Sequence, residues 1–330
     1  MKTILLAVDI YENGPIGQTQ EWESQESIFL LQKDLERMGY EVMILEKQTE
    51  ITHFILDFLE RKNRNNLIVF NLIEGYQSRN RESYIPALCE YLGVCYTGSD
   101  AYAQNISLDK SLTKMIAKEL GIASPMSNLI ERKSIQNDLP FPLFIKPNAE
   151  GSSLGIGEDN ILYHADDLNR KANELFLQFD ELILESYIPA EDLTVGILGQ
   201  PGKYMVTDVA RIVYDSTVYS EKVKSKSSMP EKLILDLPQT IVDSIKHKSL
   251  AFAEKIKIFG PARIDFRLNG TQLLFLELNL TPGLSKIYSA LPMIWQKSGA
   301  SYETLLQSIL ESAEWRYDHM KSSAYGKRNH

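Results

Sequence analysis

Strand-like and helix-like patterns alternate along the first hundred residues, and this alternation limits the possible folds more than any other feature of the chain. Residues 3–10, TILLAVDI, are typical of a buried strand, whereas residues 27–40 have the apolar spacing of a helix. The alternation continues over short connections, which predicts βαβ units and a parallel sheet. Ligands bind beyond the carboxyl ends of the strands in such a sheet. We therefore expect residues 10–24 and 74–84 to face a site.

The pattern changes twice after this region, which predicts two further domains. Residues 125–190 have the pattern of a small α+β unit, with a helical segment between two strand-like runs. Residues 191–330 contain long strand-like runs, a helix and a final helical region. The predicted fold class is therefore α/β and α+β, with an N-terminal parallel-sheet domain over residues 1–105. A chain of 330 residues is long enough for such an arrangement.

Composition and charge exclude several classes of protein. The formal net charge of −9 argues against a general nucleic-acid surface. The apolar run at the N-terminus is too short for a secretion signal, and no segment is long and apolar enough to span a membrane. Cys89 and Cys95 lie in a segment that is expected to be buried, without neighbouring metal ligands. This favours reduced thiols in a cytoplasmic protein.

A glycine-rich stretch directly after a strand-like run is the first candidate for a ligand site. Residues 146–157, KPNAEGSSLGIG, combine Lys146 with two serines and three glycines. Backbone N–H groups of such a loop can surround phosphate oxygens, and a lysine adds positive charge. The stretch matches neither the Walker A loop nor the dinucleotide GxGxxG pattern. Taken alone, it is explained equally well by a hairpin turn.

A second candidate site lies on a predicted hairpin at residues 262–283, whose central Asn-Gly pair is a turn signal. Because side chains alternate along a strand, Glu277 and Asn279 share one face, and Asp265 can lie on that face too. Two carboxylates and an amide oxygen are suitable ligands for Mg²⁺. Salt bridges on the surface of a hairpin are the alternative, but the flanking residues are apolar and a buried carboxylate without a partner is costly.

Together, these segments resemble the ATP-grasp fold, and specifically the D-alanine–D-alanine ligases. The resemblance is carried by FIKPNAEGSSLGIG, ARIDFRL and FLELNLTPGL, which occur in the family's order and spacing. It extends over most of residues 88–310. It implies a three-domain ATP-grasp architecture, with a central subdomain over residues 106–190. The C-terminal subdomain, residues 191–330, is expected to hold the metal and acceptor sites.

The resemblance implies ATP and Mg²⁺ as cofactors, and it implies a set of residues that bind the nucleotide. This set comprises Lys110, Lys146, Glu150, Ser152, Ser153, Glu185, Tyr187, Ile188, Asp192, and Lys222 or Lys224. Within it, Glu185 is expected to read the adenine amino group and Asp192 to hold the ribose. Asp265, Glu277 and Asn279 are expected to ligate two metal ions, for which Mn²⁺ is an alternative.

The reaction implied by the resemblance joins two amino acids through an acylphosphate, with release of ADP and phosphate. Arg263 and the Gly283 backbone N–H are expected to stabilise the oxyanion. Ser152 is expected to position the first substrate, and Ser289 to bind the carboxylate of the second. The resemblance also implies a homodimer. Its only other expected partners are the small-molecule amino-acid substrates.

The residues expected to select the first substrate differ from the family pattern. The first amine would be held by Glu23 or Glu21, in a loop whose length differs from that of the family. Glu74 stands where the family has a histidine, and Arg79 and Arg81 lie in the segment that replaces an acidic motif. Glu74 could pair with a substrate amine or with one of these arginines. These differences favour a ligase whose first-substrate pocket is altered from D-alanine. An authentic D-alanine–D-alanine ligase of cell-wall synthesis and a non-catalytic ATP-binding protein are the alternatives.

Overall fold

A computed structural model, which describes residues 1–14, 22–75, 78–151, 156–214 and 232–322, contains three β-sheets. The first is parallel, as the alternation in the sequence predicts. It consists of β1 (Thr3–Val8), β2 (Glu41–Leu45), β3 (Leu67–Leu72) and β4 (Cys95–Tyr96), in the order β2-β1-β3-β4. The helices that alternate with these strands are α1 (Gln25–Arg37), α2 (Gln48–Arg61) and α3 (Tyr84–Leu92). β1 and β3 are buried along their whole length, as expected for strands that are covered on both faces.

Two short helices connect the first sheet to the rest of the chain. α4 (Ala101–Leu108) ends one residue before Asp109, and α5 (Lys110–Glu119) begins directly after it. The Asp109 backbone is extended, and its carboxylate accepts hydrogen bonds from two backbone N–H groups of the next turn. Asp109 therefore separates the two helices and caps the second, which places Lys110 in the first turn of α5.

The second sheet is antiparallel and belongs to the central region. It consists of β5 (Ser127–Glu131), β6 (Leu143–Pro147), β7 (Ile161–Leu162) and β8 (Glu181–Ser186), in the order β5-β8-β6-β7. Helix α6 (Ala165–Leu175) packs against this sheet with an apolar stripe that recurs every three or four residues: Leu168, Ala172 and Leu175.

The third sheet is also antiparallel. It consists of β9 (Glu191–Gln200), β10 (Lys203–Val213), β11 (Lys232–Ile234), β12 (Ala262–Asn269) and β13 (Gln272–Asn279), in the order β11-β10-β9-β12-β13. Helix α7 (Gln239–Ile256) packs against it, and the ring of Phe252 stacks on Phe275 with centroids 5.1 Å apart. β12 and β13 form the predicted hairpin, and Gly270 in its turn adopts the left-handed conformation that favours glycine, with φ of 61°.

The last two helices pack against the first sheet, although they follow the third sheet in sequence. α8 (Ala290–Lys297) and α9 (Tyr302–Ser322) share a hydrophobic core with β1 and α1. Arg316 in α9 is buried, and its guanidinium donates hydrogen bonds to the backbone carbonyl oxygens of Tyr96 and Gly98. The C-terminal helices α8 and α9 therefore complete the hydrophobic core of the N-terminal sheet. The domain limits predicted from the sequence stay a proposal.

Two expectations from composition concern the cysteines and the membrane. Cys89 and Cys95 are buried thiols, as the sequence predicts. Burial raises the pKa of Cys95 to about 12, so this thiol stays protonated near neutral pH. Among the helices in the ranges given above, none combines the length and apolar character that a bilayer crossing requires.

Candidate active site

The hairpin of β12 and β13 brings four polar side chains onto one face. Arg263 lies opposite Asn279, and Asp265 lies opposite Glu277. Directly opposed residues of an antiparallel pair point to the same side of the sheet. The Arg263 guanidinium donates two hydrogen bonds to the Asp265 carboxylate, at 3.0 and 2.9 Å. The shared face inferred from strand alternation is therefore present in the structure.

These side chains are suitable ligands for Mg²⁺. Asp265 and Glu277 supply carboxylates from opposed positions, and the Asn279 amide lies 3.2 Å from the Asp265 carboxylate. No cluster of three or more His, Cys, Asp or Glu side chains in the described ranges is placed to hold a metal ion. Mg²⁺ nevertheless needs few protein ligands, because it keeps waters and phosphate oxygens in its octahedral shell. The donor set therefore fits Mg²⁺ that is bound together with a phosphate-bearing substrate.

Two lysines and one glutamate form a buried charged cluster where α5 meets β6 and β8. The ammonium groups of Lys114 and Lys146 are 2.8 and 3.1 Å from the Glu185 carboxylate, and all three side chains are 4% exposed. Burial raises the pKa of Glu185, but the two lysines outweigh burial and hold this pKa at about 2. Two cations around one carboxylate leave an excess of positive charge, which suits a phosphate. That Glu185 also reads adenine stays a prediction.

Lys114 is a candidate residue that sequence reasoning missed. It lies four residues after Lys110 on α5, and residues with this spacing share one face of a helix. Lys110 was already expected to contact phosphate, so this spacing was the available signal. Lys110 itself contacts the backbone carbonyl oxygen of Glu150, and its ammonium group lies 3.9 Å from Glu277.

Asp192, which was predicted to hold the ribose, has partners on both carboxylate oxygens. Arg267 Nε donates to one oxygen at 2.6 Å, and the Tyr214 hydroxyl donates to the other. The Arg267 guanidinium also donates to the carbonyl oxygen of Ile188, at 3.3 Å. A ribose hydroxyl would have to share or displace one of these partners. Sequence reasoning missed Arg267, although alternation along β12 places it on the face of Asp265.

One cleft collects most of the predicted nucleotide-binding residues that the structure describes. The cleft and its open mouth together enclose about 980 Å³. The predicted residues that line it are Lys110, Lys146, Glu150, Glu185, Tyr187, Ile188, Asp192, Asp265 and Glu277. Tyr187 stacks on Phe144 with ring centroids 6.5 Å apart, which gives the cleft an aromatic wall. A nucleotide could place its phosphates at the lysines and its base near Tyr187.

A second group of predicted residues meets near the start of α8. Glu23 is buried, and its Oε1 accepts hydrogen bonds from the backbone N–H groups of Leu284 and Ser285, at 2.8 and 3.1 Å. A Cβ atom on Gly283 would lie 2.6 Å from Ser289 Oγ and 3.1 Å from Glu23 Oε1, so a larger residue here would displace these two side chains. Glu23, Gly283 and Ser289 therefore surround one point, next to the hairpin that carries the metal-ligand candidates.

The strand ends of the first sheet contain Glu74, together with an acidic residue that sequence reasoning missed. The Asp9 carboxylate accepts hydrogen bonds from the backbone N–H groups of Glu74 and Gly75, at 3.0 and 2.7 Å. Burial raises the pKa of Asp9 to about 6, despite these two hydrogen bonds. A charged residue directly after the first strand was the signal that could have identified it. Of the two arginines weighed as partners of Glu74, Arg81 forms an ion pair with Glu150.

Some predicted site residues lie outside the described ranges. They are Glu21, Ser152, Ser153, Lys222 and Lys224. Their roles stay predictions, and so does the choice between Glu21 and Glu23 for the first amine.

Comparison with known proteins identifies one family. The family model "D-ala D-ala ligase C-terminus" matches residues 119–311. The chain is 30% identical to the D-alanine–D-alanine ligase of Aquifex aeolicus, over 84% of this chain and 91% of that protein. It is 31% identical to the D-alanine–D-alanine ligase of Bartonella bacilliformis, over 88% of this chain and 95% of that protein. The crystal structure of the D-alanine–D-alanine ligase from Bacillus anthracis complexed with ATP has the same fold, with a TM-score of 0.74 at 22% identity. This match covers 97% of this chain and 99% of that one, and it confirms the predicted fold class.

Proposed function

Because this chain belongs to the D-alanine–D-alanine ligase family, we propose that it is an ATP-dependent ligase that joins two molecules of D-alanine. Enzymes of this family are ATP-grasp ligases, which form a C–N bond between a carboxylate and an amine. The observation that carries the proposal is the cleft, where the ammonium groups of Lys110, Lys114 and Lys146 face the carboxylates of Glu185 and Glu277. Such an arrangement suits a ligand that brings both phosphates and metal ions.

In the proposed first step, the carboxylate of one D-alanine attacks the γ-phosphate of ATP and gives an acylphosphate and ADP. Lys110 and Lys146 would hold the phosphate oxygens, because both line the cleft. Asp265, Glu277 and Asn279 would hold Mg²⁺, which when bound offsets negative charge on the transferred group. The chemistry requires no covalent nucleophile on the protein.

In the proposed second step, the amine of the other D-alanine attacks the acyl carbon, loses a proton, and phosphate leaves. The Arg263 guanidinium and the Gly283 N–H would stabilise the oxyanion that forms on the way. Glu23 would hold the first amine, and Ser289 would bind the second carboxylate. The close approach of Glu23 and Ser289 to Gly283 supports this assignment.

A ligase with an altered first-substrate pocket is the second candidate. From the sequence alone it is the preferred interpretation, whereas the relatives support D-alanine better. Glu74 stands where the family has a histidine, and the buried Asp9 carboxylate binds the Glu74 backbone. Two acidic groups at the strand ends would favour a first substrate that carries an additional positive charge.

A panel of amino acids distinguishes these candidates. Phosphate release from ATP and Mg²⁺ is measured with D-alanine alone and with D-alanine plus L-alanine, D-serine or D-lysine, and mass spectrometry identifies the dipeptides. We expect turnover with D-alanine alone and D-alanyl-D-alanine as the product. Turnover that requires a cationic amino acid would replace this proposal with the second candidate. Nucleotide binding without phosphate release from any mixture would indicate the non-catalytic alternative.

The predicted domain limits, homodimer and cytoplasmic location are also proposals. Limited proteolysis tests for cleavage near residues 105 and 190, and analytical ultracentrifugation measures the oligomeric state.

A further inference from the structure

We propose that Arg81 is a positioning residue that links the strand ends of the first sheet to the chain segment that enters the nucleotide cleft. The inference rests on the proposed function, because it concerns how the site for ATP is held in place. The Arg81 side chain is only 2% exposed and makes two contacts with the segment after β6. Its Nη1 donates to the carbonyl oxygen of Ala149 at 2.8 Å, and its Nη2 lies 3.2 Å from Glu150 Oε2.

The Arg81 guanidinium depends on these two contacts because its side chain is buried. A guanidinium that is removed from water needs partners for its charge and for its N–H groups, because it keeps its proton. The Glu150 carboxylate balances the charge, and the Ala149 carbonyl accepts from a second nitrogen of the same fork. A lysine would supply the charge from a single point and could not match both partners in this geometry.

The segment that Arg81 holds belongs to the cleft. Ala149 and Glu150 closely follow β6, which ends at Pro147, and both Glu150 and Gly151 line the cleft. Lys110, from α5, contacts the backbone carbonyl oxygen of Glu150. Two cations from separate elements therefore fix consecutive peptide units at the place where the sequence predicts phosphate binding.

The other end of Arg81 is fixed by the strand ends of the first sheet. Gly75 has φ of 65°, and a Cβ atom there would lie 2.9 Å from Arg81 Cβ, so glycine is required for this close approach. The N–H of Gly75 is held by the Asp9 carboxylate at 2.7 Å. A continuous series of contacts thus runs from the end of β1, through Gly75 and Arg81, to Glu150 in the cleft.

Arg79 lies only two residues before Arg81 and lacks these features. Its side chain is 63% exposed, and its guanidinium is 3.6 Å from Asp109 and 3.9 Å from Glu181. Exposed pairs at such distances contribute little, because water screens them. Burial, together with the contacts to Ala149 and Glu150, therefore singles out Arg81 in a segment that carries two arginines.

Nucleotide affinity measured without turnover tests this inference. Calorimetry gives the Kd of a non-hydrolysable ATP analogue with Mg²⁺ for wild type, Arg81→Gln, Arg81→Lys, Glu150→Gln and the Arg81→Gln/Glu150→Gln double variant. We expect Arg81→Gln to raise the Kd about tenfold and Arg81→Lys to raise it less. Because the two side chains contact each other, Arg81→Gln should have a smaller effect in the Glu150→Gln background. Arg170→Gln, which removes an arginine that is 59% exposed on α6, is the matched control and should leave the Kd unchanged.

The outcomes separate this inference from a purely structural role and from the proposed function. An arginine that only stabilises the fold would lower the Tm and leave the Kd of the folded variant at the wild-type value, and this result would overturn the inference. If Arg81→Gln does not fold, a folded Arg81→Lys variant with wild-type Kd overturns it equally. The binding assay needs no amino acid, so a wild-type protein that binds the analogue but makes no dipeptide refutes the proposed function alone.

Discussion

Buried carboxylates in two regions of this molecule have different kinds of hydrogen-bonding and charged partners. In the cleft, Glu185 is paired with the ammonium groups of Lys114 and Lys146. At the strand ends of the first sheet, Asp9 instead accepts hydrogen bonds from two backbone N–H groups. Glu23 is closer to the second pattern, because backbone N–H groups near α8 donate to its Oε1 and the neutral Tyr288 hydroxyl donates to its Oε2.

The two patterns suit different tasks. A side-chain cation can turn toward a new anion, whereas a backbone N–H is fixed by the fold. The lysines of the cleft can therefore turn from a carboxylate to the phosphate of a ligand. The backbone N–H groups at the strand ends instead hold their carboxylate in one fixed position. Replacing a carboxylate by its amide should be severe in the cleft and mild at the strand ends. An amide oxygen still accepts from an N–H group, but it does not neutralise a cation.

The largest effect on stability is expected for Glu185→Gln. The substitution removes the carboxylate that two buried ammonium groups contact, and breaking a buried ion pair in this way costs about 3–5 kcal/mol. Urea denaturation measures the loss. Glu174→Gln is the control, because Glu174 also pairs with a lysine but is 54% exposed, and we expect less than about 1 kcal/mol there. Equal losses in the two variants would contradict the comparison.

The next effect concerns turnover. Glu277→Gln removes a charge from the proposed metal site, and electrostatic groups of this kind contribute about a hundredfold or more to kcat. We expect a loss of at least that size at saturating Mg²⁺, with a Tm close to that of wild type. Near wild-type activity in the variant would show that Glu277 is not a metal ligand.

A smaller effect of opposite sign is expected at Asp9. Folding raises the pKa of this carboxyl from its ordinary value of 3.8 to about 6, mainly through burial, so the folded state binds the proton more tightly. The stability that the group contributes is complete below pH 3.8 and is lost as the pH rises through about 6. Asp9→Asn keeps an acceptor oxygen and cannot ionise. The variant should therefore gain about 2 kcal/mol over wild type as the pH rises from about 4 to about 7. A difference in unfolding free energy that stays constant with pH would contradict this expectation.

The smallest effect on stability is expected for Glu23→Gln. The amide oxygen can still accept from the backbone N–H groups of Leu284 and Ser285, so we expect a loss below about 1 kcal/mol in the free energy of unfolding. Thermal or urea denaturation measures it. A loss as large as that of Glu185→Gln would mean that backbone-held and cation-held carboxylates do not differ in this protein.

Local patterns in the sequence were sufficient to predict the parallel sheet and the hairpin. Alternation of strand and helix periodicity identified β1 to β3, and the Asn-Gly pair located the turn between β12 and β13. The common face of Glu277 and Asn279 followed from a period of two residues, which is a property of any strand. These features depend on neighbours that are close in the chain, and a single sequence contains that information.

Features that depend on distant partners could not be predicted in the same way. The helix break at Asp109 is reinforced by Asn148, whose amide donates to the Asp109 carboxylate at 2.9 Å. The pairing of Arg81 with Glu150 joins the segment after β3 to the segment after β6, 69 residues later in the chain. Lys114 and Arg267 had the correct spacing on their elements, but only the packed structure shows which carboxylate each one meets.

The shared core of the first strand and the last helices has a consequence for biosynthesis. β1 emerges from the ribosome well before α8 and α9, because synthesis proceeds from the N-terminus at about 5–20 residues per second. The apolar side chains of β1 that pack against α8 and α9 therefore form these contacts only after residues 290–322 have been synthesised. Contacts between such distant segments also slow folding, because a long loop must close before they form. The core on this face of the first sheet is thus completed last, and part of an apolar surface stays uncovered for most of the chain's synthesis.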